Sequence, residues 1–194
     1  MTKRSIAPQR GFFPQPVYLI GCFKEDGRPN FTLKTWITCA STKPPVAMFT
    51  AGDAHQGTKK TAKRVLETGV FSASLVTTSM IELADYCGIT SGYQTDKCAD
   101  TGMAWSRGAV LDVPVLDDSP WVYECAVVKT LDIGNGTVYF GEIKNILVDD
   151  GIPDATRGKV DVSSLSPAIY APMKYFSLGP QVYAVGDSLP LSLR

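Results

Sequence analysis

The segment VAMFTAGDAHQGTKKTAKR concentrates groups able to hold an anion. It reads as a strand, a loop between Gly52 and Gly57, and the opening of a helix whose first two turns carry Lys59, Lys60, Lys63 and Arg64. Cations at a helix start oppose the helix dipole, each by about 0.3–1 kcal/mol when exposed. Glu67 is their only nearby counter-charge in the helix. A bound anion offsets the repulsion: free backbone N–H groups, the Thr58 and Thr61 hydroxyls and the lysine ammoniums together make a phosphate site. The alternative is a solvated basic face. The same stretch falls short of a P-loop. Gly52-x4-Gly57 is followed by Thr58 and then Lys59, the reverse of the Lys-then-Ser/Thr order that places an ammonium on phosphate and a hydroxyl on magnesium.

A second group lies in FTLKTWITCAST, where Thr32, Thr35 and Thr38 share one strand with Trp36. Strand N–H and C=O groups can pair with the polar edge of a planar heterocycle, and neighbouring hydroxyls can take its polyol or phosphate oxygens. Plain β-propensity explains the same residues. A third group is CGITSGYQTDKC, in which Ser91 and Lys97 follow a helix; Lys97 can reach an anion or pair with Asp96 or Asp100. His55, the only histidine, can hydrogen-bond a ligand from its loop or stand idle there. No G-x-S-x-G elbow supports a nucleophile, and no spacing suits a metal. Cys87 and Cys98 can approach each other, with packing the plainer role.

These residues need elements to position them. PVYLIGCF, FTLKTWITCA, VAMFTA and VFSASLVT read as strands, with Asp26-Gly27 a turn and TKPP a break. Residues 58–68 read as a short helix capped by Gly69. SMIELADYCGI reads as a second helix, with Ser79 and Glu82 forming a capping box and Gly88 ending it. A short helical piece is expected near Asp96. WVYECAVVKTL and TVYFGEIKNILV form a hairpin around Asn135-Gly136, much of the first strand buried on both faces. At least six strands with two or three short helices predict a mainly β fold, a β-barrel with helical insertions. The chain is expected to be one domain, with a barrel core over about residues 14–150. The segment 151–194, rich in Pro, Ser and Gly, packs down through Tyr170, Tyr175, Phe176 and Tyr183, on its own chain or a partner.

Composition narrows the function classes. Of 194 residues, 44% are hydrophobic and 20% charged, which supports a sizeable core. Nineteen basic residues balance nineteen acidic ones, so no global field favours nucleic acid or an anionic membrane. Five cysteines, an odd number without C-x-x-C, argue against a secreted disulfide framework and for the reducing cytosol. The apolar run at residues 17–23 is too short for a leader, and no stretch approaches the roughly 20 apolar residues of a membrane span.

Taken in order, PVYLIG with DGRPN, TLKTWITCASTKPPVAMF, GTKKTAKRVLETGVFSASL, CGITSGYQTDK, VPVLDDSPWVYECAV, GEIKNILVD and LSPAIYAP..YFSLG resemble the flavin reductase-like, FMN-binding split-barrel family, which includes flavoredoxin. The resemblance spans about residues 14–180 and rests on the ordered series. It implies a Greek-key split β-barrel, a homodimer and FMN held near the subunit interface. By position, Thr35, Trp36, Ile37 and Thr38 line the flavin and its ribityl chain, and Thr50, Ala51 and Gly52 continue that wall. Lys59, Lys60 and Thr61 hold the phosphate, and Ser91 and Lys97 close the site. The implied activity is an NAD(P)H-dependent flavin or acceptor reductase, with NAD(P)H as co-substrate; the alternative is a flavoredoxin-type electron carrier reduced by a partner protein. Hydride transfer to a flavin needs no protein acid or base, so no catalytic residue is assigned. Cys98 and the DAHQG loop depart from the family pattern.

Overall fold

The computed structural model describes residues 2–52, 59–157, 159–185, 187 and 188. Its strands are β1 (Gln15–Pro16), β2 (Tyr18–Phe23), β3 (Pro29–Lys34), β4 (Ile37–Thr42), β5 (Pro45–Gly52), β6 (Val70–Leu75), β7 (Trp105–Arg107), β8 (Pro114–Leu116), β9 (Trp121–Ile133), β10 (Gly136–Val148), β11 (Ala168–Ala171) and β12 (Lys174–Ser177). Helices α1 (Lys60–Thr68), α2 (Ile81–Ile89) and α3 (Lys97–Thr101) are inserted between them.

Seven strands form one antiparallel sheet in the order β3-β2-β6-β9-β10-β5-β4. Its two outermost strands, β3 and β4, follow each other in the chain across only Thr35 and Trp36. The sheet therefore curls until its edges meet at that corner without pairing, which is a barrel split along one seam. One core cluster confirms the curl, since it joins Ile20 and Cys22 of β2, Ile37 of β4, Phe49 of β5, Phe71 of β6, Cys125 of β9 and Tyr139 of β10. Phe49 stacks on Tyr139 with ring centroids 4.9 Å apart and meets Phe71 edge-on at 5.0 Å.

Helix α1 plugs this barrel. Ala62 and Val65 enter the core, and the Tyr139 hydroxyl donates to the Ala62 carbonyl at 3.1 Å. Gly69 ends the helix at φ +72°, its N–H bonded to the Val65 carbonyl, as the sequence predicts. On the barrel's outer side, Leu19 and Phe31 pack against Met80, Ala84 and Cys87, so α2 covers β2 and β3.

Two expectations are corrected. The Ser79–Glu82 capping box does not form: a 3₁₀ turn at Thr78–Met80 precedes α2, and the Ser79 hydroxyl pairs with that of Thr77 at 2.8 Å. A hydroxyl engaged one turn early cannot cap the helix, which runs on past Gly88 to Ile89. The hairpin is present, but its two-residue loop is Gly134-Asn135 rather than Asn135-Gly136. Gly134 takes φ +59°, the conformation a hairpin turn asks of its first central residue and one that glycine adopts freely.

The tail folds onto its own chain. β11 pairs with β1 and β12, and the Tyr175 hydroxyl donates to Asp85 of α2 at 2.7 Å.

Candidate functional site

The seam brings most of the predicted site residues into one neighbourhood. Thr35 and Trp36 form the β3–β4 corner, and the Trp36 carbonyl accepts from the Thr50 N–H at 2.9 Å, which ties the corner to the end of β5. Register then sorts the expected wall into two faces. Ile37 and Ala51 turn into the barrel core. Thr38 aligns with Met48, and Thr50 with Val138, on the opposite, outer face. Trp36 is 45% exposed beside them. Of the stretch from Thr35 to Thr38 and from Thr50 to Gly52, side chains at Thr35, Trp36, Thr38 and Thr50 are thus accessible, while Ile37 and Ala51 offer a ligand only their backbone. His55 and Thr58, with the loop that carries them, lie outside the described residues.

The crowd of cations at α1 is largely spoken for. Arg64 pairs with Glu67 at 2.5 Å and donates to the Phe23 carbonyl at 2.9 Å, and Lys63 lies 3.8 Å from Glu67. Lys60 pairs with Glu25 and sits over the Tyr93 ring, 4.9 Å from its centroid. Thr61 is buried and accepts from Asn30 Nδ2 at 2.7 Å. Lys59, immediately before the first helical turn, has no such partner among the described residues.

The Ser91–Lys97 loop is pinned against β3. Arg28 reaches Asp96 at 2.8 Å, Lys24 donates to the Thr95 carbonyl at 3.0 Å, and Asp96 caps α3 through the Ala99 N–H. Lys97 is 2% exposed and donates to the carbonyls of Phe31 at 2.9 Å and Cys87 at 2.6 Å. It braces the free edge of β3, and burial drops its ammonium to about 8. Ser91 stays half-buried, its hydroxyl accepting from the Tyr93 N–H at 3.3 Å. Gly92 lies so close to Asn30 Oδ1 that no side chain fits there.

One residue of this neighbourhood was not singled out from sequence. Lys34, at the end of β3, is 8% exposed, and its ammonium makes no hydrogen bond or ion pair among the described residues. It aligns with Tyr18 across β2, on the face of Ile20 and Cys22 that looks into the barrel. Burial, then the nearby ammoniums of Lys59 and Lys97, lower Lys34 to about 8. Four residues earlier on the same face of β3, against Gly92, Asn30 Oδ1 is buried without a donor. Unpaired buried polar groups are costly unless something completes them. The ammoniums of Lys34 and Lys59 are the free donors here, and they suit an anion.

The five cysteines are free. Burial pushes the Cys22 and Cys87 thiols up to about 11 and those of Cys98 and Cys125 to about 12, so these four stay protonated near neutral pH. Cys39 alone is exposed, its thiol donating to the Ser41 carbonyl at 3.3 Å.

A curled seven-stranded sheet with an open seam, plugged by a helix and lined at one end by cations, defines a split-barrel protein with a cationic edge. The sequence pattern of the flavin reductase-like domain matches residues 10–179, and the chain belongs to that family. Its structure is similar to flavoredoxin of Desulfovibrio vulgaris (Miyazaki F), with a TM-score of 0.85 and 25% identity over 96% of this chain and 99% of that one. A flavoredoxin from Methanosarcina acetivorans gives a TM-score of 0.83 at 23% identity over 99% and 100%. Component B of nitrilotriacetate monooxygenase from Bacillus cereus gives 0.85 at 16% identity over 95% and 100%.

Proposed function

We propose that this chain binds FMN at the β3–β4 seam and serves as an NAD(P)H-dependent flavin or acceptor reductase. The observation that carries the reading is the unpaired cationic end of the seam, Lys34 and Lys59, next to an accessible wall of Trp36, Thr38 and Thr50. FMN supplies the redox chemistry, accepting a hydride and passing electrons on. The chain's part is to anchor the phosphate at the cationic end, to bind the flavin's polar edge through the backbone around Ile37 and Ala51 and the hydroxyls beside them, and to leave one ring face open to a nicotinamide.

The reading includes a homodimer. Two cross-strand rows, Leu131–Val138–Thr50 and Lys129–Phe140–Met48–Thr38, share the outer face of β9, β10, β5 and β4. They set an apolar band beside the two threonines of the flavin wall, so a second copy docked there encloses the flavin. Five free cysteines, four of them buried, fit a reducing compartment, and the reading places the protein in the cytosol as a single domain. Similarity to two flavoredoxins supports the second reading, an FMN electron carrier reduced by a partner protein.

The visible spectrum of the purified protein, with identification of the released chromophore, tests the cofactor. FMN is expected; a protein that stays colourless after incubation with flavin removes the reading. Steady-state oxidation of NADH and NADPH then separates the two roles, since turnover by the protein alone supports the reductase and its absence supports the carrier.

A further inference from the structure

Lys34 occupies a place where a leucine would make a better core. Lysine is among the residues least often buried, and when buried it is normally paired. Its neighbour Lys97 obeys that rule through two carbonyl acceptors. Lys34 does not, and the charges closest to it, Lys59 and Lys97, are of its own sign. With Lys97 bonded to backbone carbonyls and Lys60 paired with Glu25, Lys34 and Lys59 remain as two ammoniums without a hydrogen-bond or ion-pair partner among the described residues at one end of the seam. Two positive charges match the charge of about −1.5 to −2 that a phosphomonoester carries near neutral pH.

We propose that Lys34 is the specificity residue by which this chain selects a flavin phosphomonoester over the same flavin without its phosphate. The assignment rests on the flavin reading above and goes beyond it by naming what distinguishes FMN from riboflavin. Lys34 donates to the phosphate from the barrel side of the seam while Lys59 approaches from the helix start. Because Lys34 ends the strand whose continuation is the Thr35–Trp36 corner, phosphate and flavin wall are held by one continuous piece of chain.

The test is a titration of flavin-free protein with FMN and with riboflavin, followed by flavin fluorescence, for wild type, Lys34→Met and Lys34→Arg. Wild type should bind FMN more tightly than riboflavin. Lys34→Met should weaken FMN binding by about tenfold to a hundredfold, the scale of one charge-assisted hydrogen bond, and leave riboflavin affinity unchanged. Lys34→Arg should keep part of the preference. Flavin-free Lys34→Met should melt at or above the wild-type temperature, because it no longer buries a lone charge. An FMN-to-riboflavin affinity ratio equal in wild type and Lys34→Met overturns the assignment and leaves the flavin reading standing. So does an equal loss of both flavins with a lowered melting temperature, which marks Lys34 as structural. Wild type that binds neither flavin sinks the flavin reading itself, and the Lys34 assignment falls with it.

Discussion

Lys34 and Lys97 show two ways to bury an ammonium, and the difference is measurable without any ligand. Both are lowered to about 8, chiefly by burial. For Lys34 the penalty is complete while folded and unfolded chains are both protonated, that is below about 8. Between there and the ordinary lysine value of 10.5 the folded chain has released a proton that the unfolded chain keeps, so stability rises with pH. Buried thiols and phenols, raised by burial, push the other way over part of that range. They are common to wild type and Lys34→Met and cancel in the difference. The stability advantage of Lys34→Met over wild type should therefore be constant below pH about 8 and shrink steadily toward pH about 10, in urea melts of flavin-free protein across that range. A gap independent of pH means that Lys34 is not held in a low-dielectric site. The sequence hid this residue for a physical reason: Thr32 and Lys34 alternate with Phe31 and Leu33, which reads as a strand with one wet face. Only the cross-strand alignment with Tyr18, Ile20 and Cys22 shows that the polar face looks into the barrel.

At the scale of elements, the strands, the plugging helix and the long hairpin were legible because turn residues and side-chain periods mark them locally. What local pattern could not supply was register. Ile37 and Ala51 stand inside and Thr38 and Thr50 outside because β5, which carries β4 beside it, takes its place against β10, far along the chain. Bulges add to this, since the β9–β10 register shifts between Phe140 and Gly141 and again between Ile143 and Asn145. Gly141 shows what such a shift demands. A Cβ there would lie 2.5 Å from the Phe71 ring and 2.9 Å from the Cys125 Cβ, both in the packed core. Neither neighbour is the free end of a flexible chain, so Gly141→Ala should destabilise the protein by about 1–3 kcal/mol, the usual range for overpacking. Urea denaturation checks this through a lower midpoint with an unchanged slope. An unchanged midpoint means that the β10 bulge is looser than its geometry indicates. The hairpin, whose existence Asn135-Gly136 announced, turns one residue earlier. Glycine at 134 satisfies the turn's positive φ.

For the whole molecule, the order of motifs was enough to place the chain in its family, whereas the surface proposed to join two copies is a property of assembled strands and of no single segment. Leu131 is 45% exposed and Ile133 60%, both on β9 beyond the part covered by β6. With Val138 and Phe140 across the pair, they make a band that water meets directly in a lone chain. Leu131→Glu places a charge at the centre of that band and removes no core contact. Its expected outcome is a halved mass in sedimentation at concentrations where wild type is dimeric, with the monomer's secondary structure intact, because one buried unpaired carboxylate in an interface costs several kcal/mol. Flavin retention then reads out the link between assembly and site. Since Leu131 and Val138 share a row with Thr50, a monomer leaves the flavin wall open on that side, and FMN should exchange faster from Leu131→Glu than from wild type. If wild type sediments as a monomer, the band has another purpose. If the variant is monomeric and holds FMN as tightly as wild type, the seam alone is the complete binding site, and Lys34, Lys59 and the Thr35–Trp36 corner do the whole work of holding the cofactor.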